Sequence, residues 1–288
     1  MSALRARAPG KVNLCLFVGE PREDGLHPLV SVVQALSLAD ELTLAPAPPG
    51  AAADEVVCPG VAGPNLAARA LAMYREATGW DAPPQRLEIS KHVPVAAGMG
   101  GGSSDAAAAL RLAAHAAGSP DDPRVAALAP RLGADVASLL RPGRVLMTGA
   151  GEDVEPLAAP ELLGVLVLPV TAELSTPAVY READRLGLAR GHAELAQLDA
   201  LVRAGTWAPH NDLEAAACSL CPDINAALAA ARAAGVDHAL VSGSGPTVVG
   251  LFGGPDAPAR AAAAAQGCGW PRAVAAEPVD EAWAAVRG

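Results

Sequence analysis

The stretch PVAAGMGGGSSDAAAAL, residues 94–110, places four glycines and two serines directly ahead of an alanine run. Glycine loses more conformational freedom on ordering than any other residue, so such a cluster marks backbone that must lie close to something. It follows RLEISKHV, which reads as a short strand, and leads into a helix from about Ser103 to Ala117. A strand, a glycine loop and a helix whose first turn holds Ser103, Ser104 and Asp105 make an anion cradle. Helix N-termini carry N–H groups without intrahelical acceptors, and glycine amides extend the set. The serine hydroxyls can cap the helix, contact phosphate or bind a metal ion. Four glycines in five positions exceed what capping needs, which favours phosphate binding. Two nucleotide patterns fail. A P-loop requires lysine directly before Ser103, where Gly102 stands. The dinucleotide fingerprint fits Gly98 and Gly100 but meets Ser103 at its sixth position, and no tidy βαβ unit follows.

A phosphate ligand must be held locally, because the chain as a whole is acidic. Its net charge is −10 over 288 residues, and no basic tract stands out, which argues against nucleic acid and anionic membranes as partners. The N-terminus MSALRARAPGKVNLCLF lacks an uninterrupted apolar segment, so no signal peptide is expected. No apolar run of spanning length is free of glycine, proline or charge, and a soluble, cytoplasmic protein is expected. Five cysteines at irregular positions fit reduced thiols. Cys218 and Cys221 form a C-x-x-C pair in LEAAACSLCPDI, with no second pair or nearby histidine to complete a zinc set. They read as buried or half-buried helix cysteines, and no metal site is expected.

Residues 11–19 alternate Val12, Leu14, Leu16 and Val18 with Asn13, Cys15 and Phe17, a strand's period of two, entered from a Pro9–Gly10 turn. LVSVVQALSL and DELTLAPA read as two further strands, and residues 46–60 as a proline- and glycine-rich surface loop. Residues 65–79 read as a helix capped by Asn65 and stopped by Gly79. DDPRVAALAPRLGAD suggests a helix and a turn, and RVLMTGAG a strand. The pattern changes near residue 152. Beyond it come a buried strand at 162–170, helices around 176–187, 192–204, 211–221 and 223–234, and a strand–glycine turn–strand in DHALVSGSGPTVVGLFG. The expectation is an α+β chain of two lobes, 1–151 and 152–288, with a cleft between them.

Three stretches in this order, A-P-G-K-x-N at 8–13, P-x-x-x-G-x-G-G-G-S-S at 94–104 and G-S-G-P-T at 243–247, resemble the GHMP kinases, and they span most of the chain. Within that superfamily the chain is most similar to the 4-diphosphocytidyl-2-C-methyl-D-erythritol kinases of the non-mevalonate isoprenoid pathway. The resemblance is carried by D-G-L-H at 24–27, SLAD at 37–40, LGADV at 132–136, STPAVYREADRL at 175–186 and HNDLEAAACSLCPDI at 210–224.

That resemblance implies the two-lobed GHMP-kinase fold and γ-phosphoryl transfer from ATP to the 2-hydroxyl of the methylerythritol end. ATP is then a co-substrate, with Mg²⁺ held mainly by its phosphates, and the protein a monomer or weak homodimer. Asp135 resembles the general base and Lys11 its partner, a cation suited to stabilising developing negative charge. Pro94, Gly98, Gly100, Gly101, Gly102, Ser103 and Ser104 would cradle the phosphates; Lys91 and Asn65 would lie at the nucleotide. Asp105 would act on the helix dipole or near the metal ion. Asn13 would contact substrate, His27 would read the cytosine, and Tyr180 would stack on it. Gly243, Ser244, Gly245 and Thr247 would floor the site and reach a substrate phosphate. The chain departs from the family at Leu26, where an aromatic is usual, and at Gly10, often alanine. Two alternatives stay open: a homoserine- or phosphomevalonate-type kinase, and a non-catalytic nucleotide-binding protein of the same fold. The second would need a lost base, yet Lys11 and Asp135 are both present.

Overall fold

The computed structural model describes residues 3–61, 63–158, 162–172 and 174–288. Leu4–Val18 (β1) and Leu29–Pro46 (β2) form a long antiparallel pair from which the first sheet grows. The period of two in residues 11–19 does mark a strand, but that strand begins at Leu4. Pro9–Gly10 is not a turn: the register with β2 shifts between Pro9 and Lys11, so the chain bulges there and continues. LVSVVQALSL and DELTLAPA are likewise one strand, because β1 pairs along nearly all of it. The two ends of β2 differ only in their second neighbour.

Glu55–Val57 (β3) pairs in parallel with Gln85–Ser90 (β4), and β4 pairs with the Glu41–Pro46 end of β2. The segment 46–60 is therefore not wholly a loop; Val56 packs on the core and draws its neighbours onto the sheet edge. Arg144–Thr148 (β5) pairs with the Ser31–Gln34 end of β2, and Asp153–Pro156 (β6) pairs with β5. The 151/152 position thus falls in the turn joining two strands of this first sheet. The second sheet is antiparallel. It contains Leu163–Leu168 (β7), His238–Val241 (β9), Val248–Gly253 (β10) and Val274–Ala276 (β11), ordered β11-β7-β10-β9. His210–Asn211 (β8) leaves that half to pair in parallel with β1.

Leu66–Thr78 (α1), Gly101–Ala116 (α2), Pro123–Leu132 (α3) and Ala134–Leu140 (α4) build one core against the first sheet. Alanine is the best helix former, and α2 is buried on most of its surface, with Ala106 to Ala109 fully enclosed; small side chains let the sheet and three helices approach it closely. Thr176–Leu186 (α5), Glu214–Leu220 (α7), Asp223–Ala233 (α8) and Ala257–Gly267 (α9) cover the second sheet. His192–Arg203 (α6) packs between, where Leu195 and Val202 join a cluster linking Val12, Leu14 and Val32 of the first sheet to Val165, Val167 and Val249 of the second.

The helix expected over 211–221 starts only at Glu214. Asn211 Oδ1 accepts the Leu213 N–H at 2.9 Å, a side-chain turn that ends β8 and sets up α7. Cys218 is half-buried and Cys221 buried, and all five cysteines are free.

Candidate active site

The bulge at Pro9–Lys11 places Lys11 at a bend in β1, with its backbone N–H donating to the Met99 carbonyl at 2.8 Å. That bond ties the strand to the glycine loop. The Lys11 ammonium donates to Asn13 Oδ1 at 2.9 Å and lies 3.8 Å from Asp135 Oδ2. Asn13 is itself held: its Nδ2 donates to Ser31 Oγ at 2.8 Å, and Ser31 Oγ donates to the Cys15 carbonyl at 2.7 Å. The lysine is nearly enclosed at 8% side-chain exposure, whereas Asp135 keeps 38%. Asp135 reaches this position because a second helix, α4, begins immediately after Gly133, where the sequence suggested a turn; the carboxylate sits in its first turn.

The glycine loop differs from its expected form in one respect. Helix α2 begins at Gly101, not Ser103, because Gly100 adopts left-handed backbone (φ +67°) and serves as N-cap without a side chain. Neither serine caps the helix. Ser104 Oγ is buried without a partner, and Ser104 N–H returns to the Gly100 carbonyl at 2.8 Å. The amides of Gly101, Gly102 and Ser103 are then the first-turn donors that have no intrahelical acceptor. Gly98 (φ +73°) lies against the second glycine loop: a Cβ there would stand 2.2 Å from the Gly245 carbonyl oxygen. The two loops thus touch backbone to backbone, an approach only glycine allows.

Beneath α2 lies a buried charge cluster. Lys91 donates to Asp40 and, at 2.8 Å, to Asp105 Oδ2. Asp40 is fully buried and also accepts the N–H groups of His92 (2.6 Å) and Val93 (2.8 Å). Burial pushes the Asp105 carboxyl up to about 7 against the pull of Lys91, and its Oδ1 has no partner. Burial pulls Lys91 down, but its hydrogen bonds and charge contacts with Asp105 and Asp40 outweigh that and hold it above the usual lysine value. Lys91 is therefore engaged by two carboxylates, next to the first turn of α2: a Cβ on Gly101 would come 3.3 Å from its ammonium. Asn65 caps α1, accepting the Ala67 N–H at 2.8 Å, and Pro94 is half-buried in the loop.

At the other end His27 is buried, and its Nδ1–H donates to the Gly19 carbonyl at 2.8 Å. Its Nε2 lies 3.4 Å from Asp184 Oδ2, and its ring meets Tyr180 at 5.1 Å between centroids, tilted 45°. Burial, with the Asp135 charge adding to it, pushes the Tyr180 hydroxyl up to about 12. Leu26 points outward and is 53% exposed.

Of the residues singled out from the sequence, Lys11, Asn13, Asp135 and Tyr180 line one pocket of about 200 Å³, with Gly98 and Gly100 on one wall and Gly243 and Ser244 on another. Ser244 Oγ is 2.9 Å from Thr176 Oγ1. Thr247 is fully buried behind this wall with its hydroxyl unpartnered. A larger cleft of about 970 Å³, between α4–β5 and residues 277–283, contains none of them.

Sequence reasoning passed over three residues that hold the site. Asp40 organises the lysine cluster, and its signal was an acid inside an apolar strand. Asn211 Nδ2 donates to the Val241 (2.7 Å) and Gly243 (2.8 Å) carbonyls, fixing the second glycine loop. Ser242 Oγ accepts the Asn13 N–H at 3.1 Å.

Comparison with known proteins matches both halves of the chain to one superfamily. The family model for the GHMP kinases N terminal domain matches residues 65–143, and that for the GHMP kinases C terminal region matches residues 190–269. A protein of Nocardioides sp. called 4-diphosphocytidyl-2-C-methyl-D-erythritol kinase is 41% identical over 94% of this chain and 95% of its own. One of the same name from Streptomyces coelicolor is 43% identical over 86% of this chain and 87% of its own. The crystal structure of a 4-(cytidine 5'-diphospho)-2C-methyl-D-erythritol kinase superposes with a TM-score of 0.76 at 38% identity, covering 95% of this chain and 98% of that one. A homoserine kinase from Cytophaga hutchinsonii, at 18% identity and a TM-score of 0.63, shares the fold. With motifs, topology and near full-length identity in agreement, the chain belongs to the 4-diphosphocytidyl-2-C-methyl-D-erythritol kinase family of the GHMP kinases.

Proposed function

We propose that the chain transfers the γ-phosphoryl group of ATP to the 2-hydroxyl of 4-diphosphocytidyl-2-C-methyl-D-erythritol. The observation that carries this reading is the Lys11–Asp135 pair, set with Asn13 and Tyr180 in one pocket between the two glycine loops. Phosphoryl transfer asks a protein mainly for position and electrostatics. The loop amides and the head of α2 receive the phosphates. Asp135, the more exposed partner, takes the proton of the attacking hydroxyl. The Lys11 ammonium, held in place by Asn13, stabilises the negative charge that develops on the attacking oxygen. His27 and Tyr180 receive the cytosine.

Mg²⁺ is assigned to the ATP phosphates. Among the described residues no group of three or more histidines, cysteines or carboxylates converges on an ion site, and magnesium is commonly held by substrate phosphates with few protein ligands. The same reading makes the protein a cytoplasmic enzyme, monomeric or weakly dimeric, without nucleic-acid or membrane partners. No helix among the described residues is long and apolar enough to cross a membrane.

The test is an ATP-dependent assay on 4-diphosphocytidyl-2-C-methyl-D-erythritol beside homoserine, mevalonate and phosphomevalonate. Phosphorylation of the cytidyl compound alone is expected. Preference for one of the others, or ATP binding with no turnover, would overturn the reading.

A further inference from the structure

We infer that Ser31 is a positioning residue for the transfer: it fixes which way round the Asn13 amide stands, and through that amide the aim of the Lys11 ammonium. The inference rests on the role proposed above for Lys11 and deepens it.

Among the described residues the Lys11 ammonium has one hydrogen-bond acceptor, Asn13 Oδ1 at 2.9 Å. Asp135, at 3.8 Å, attracts it as a charge, but that separation is too long for a hydrogen bond. The amide oxygen therefore decides where the head of a flexible four-carbon side chain rests. An asparagine amide has two ends of nearly equal shape, one an acceptor and one a donor. Turned over, it would set an NH₂ group against the ammonium, donor against donor. The backbone of Asn13 is already fixed, since its N–H donates to Ser242 Oγ at 3.1 Å, so the amide orientation is what remains to be chosen.

Ser31 makes that choice because its own hydroxyl is committed. The residue is 1% exposed, and its single proton goes to the Cys15 carbonyl at 2.7 Å, a group that can only accept. The hydroxyl oxygen is left as an acceptor, and what meets it at 2.8 Å must be the Asn13 Nδ2 donor. The direction of the chain is thus set from the backbone outward, from Cys15 through Ser31 and Asn13 to Lys11. Ser31 also lines the pocket with Lys11 and Asp135. With its proton spent it has none to offer a ligand oxygen, so its contribution passes through Asn13.

Strand geometry brings the members together. Asn13 pairs with Val33, and Ser31 lies two residues from Val33 on β2, so both side chains leave the same face of the sheet. The register shifts again between Asn13 and Cys15, a second irregularity in β1. Such a bulge loosens the ladder locally, and the Cys15 carbonyl beside it takes the serine proton.

The experiment measures steady-state kinetics and melting temperatures for wild type, Ser31→Ala, Ser31→Thr, Asn13→Ala and the Ser31→Ala/Asn13→Ala double variant. Ser31→Ala is expected to lower kcat about tenfold while the KM for ATP stays within about twofold, because position and not nucleotide binding is lost. Ser31→Thr keeps the hydroxyl and is expected to stay within about threefold of wild-type kcat. In the Asn13→Ala background Ser31→Ala is expected to lower kcat no further, since its effect travels through the amide. A merely structural serine would instead lower kcat by the same factor in both backgrounds. That result, or wild-type kcat in Ser31→Ala, overturns the positioning role and leaves the substrate assignment standing. If wild type phosphorylates a different alcohol, the assignment falls and the same variants decide the role of Ser31 on that alcohol. If it phosphorylates none, both fall.

Discussion

At the glycine-loop end of the cleft the chain offers backbone, and at the His27 end it offers side chains. The loop end is braced from behind by Lys91, Asp40 and Asp105 and pressed against Gly245, so its shape is fixed by buried contacts. The His27 end rests on one anchored imidazole, one half-buried tyrosine and two exposed residues, Leu26 and Asp184. Amides suit phosphates, which are alike in every nucleotide; side chains suit a base, which is not. In the function proposed above, one end would serve the phosphoryl-transfer step, and the other could change without disturbing it.

Asp135 lies where the two ends meet, and its loss should have the largest effect. Asp135→Asn keeps the shape and removes the carboxylate proposed as the base, and losses of a general base are typically ~10²–10⁴ in rate. The turnover number should fall in that range while both substrates still bind by calorimetry. Turnover within a few-fold of wild type would clear Asp135 of the role.

The claim that the loop end is rigid can be broken with a pair of glycine variants. Gly98→Ala forces a methyl into the Gly245 carbonyl at a left-handed position and should cost at least about 2 kcal/mol, with ATP use falling as well. Gly102→Ala meets nothing within 4 Å and should stay within about 0.5 kcal/mol of wild type, so any rise in its ATP KM reports ligand contact alone. Equal melting temperatures for the two variants would mean that the loops do not brace each other.

Asp105 sharpens the comparison through pH. Its folded-state value, about 7, lies above the ordinary carboxylate value of about 4, because burial favours the neutral acid. The folded protein thus binds this proton more tightly than the unfolded chain. The stability it contributes is complete below about pH 4 and is lost as pH rises through about 7. Asp105→Asn stays neutral throughout, so its denaturation midpoint should decline less than that of wild type over this window. Parallel pH profiles would show that the cluster is not strained by charge.

The smallest effect belongs to the exposed end. Leu26→Tyr adds a ring beside His27. Aromatic pairs contribute ~0.5–1.5 kcal/mol beyond area burial, so cytidine diphosphate should bind roughly two- to twelve-fold more tightly by calorimetry. Unchanged affinity would leave Leu26 a surface residue of the loop with no part in the base site.

The same contrast governs what the sequence disclosed. Gly98, Gly100, Gly101 and Gly102 announced themselves because a backbone site leaves a composition that little else requires. Lys11 and Asp135 were legible only together with the family motifs, since a lone lysine or aspartate has many ordinary uses. The helix start was misplaced because glycine reads as a breaker, whereas Gly100 acts as the cap and Gly101 opens the helix. Asp40 and Asn211 stayed silent because each acts on backbone far away in sequence, at residues 92–93 and at 241 and 243. Pro9–Gly10 carries a turn's composition, yet the pairing of β1 with β2 on both sides carries the strand through.

Strand β1 has one more consequence, for inheritance. It accepts β8 along its free edge, its Val18 carbonyl takes the Arg190 N–H at 2.8 Å, and its Val18 N–H goes to Asp212 Oδ2 at 3.0 Å. Asn13, which holds the Lys11 ammonium, takes its backbone partner from Ser242. A fragment ending at Pro156 would carry this strand with an open edge and leave the Asn13 N–H without its acceptor. The halves are therefore not interchangeable cassettes: a gene that recruited a new second half would have to bring the matching His-Asn-Asp and Ser-Gly segments with it. Substitutions at Leu26, or along α5 beyond Thr176, would leave the hydrogen bonds of that seam in place.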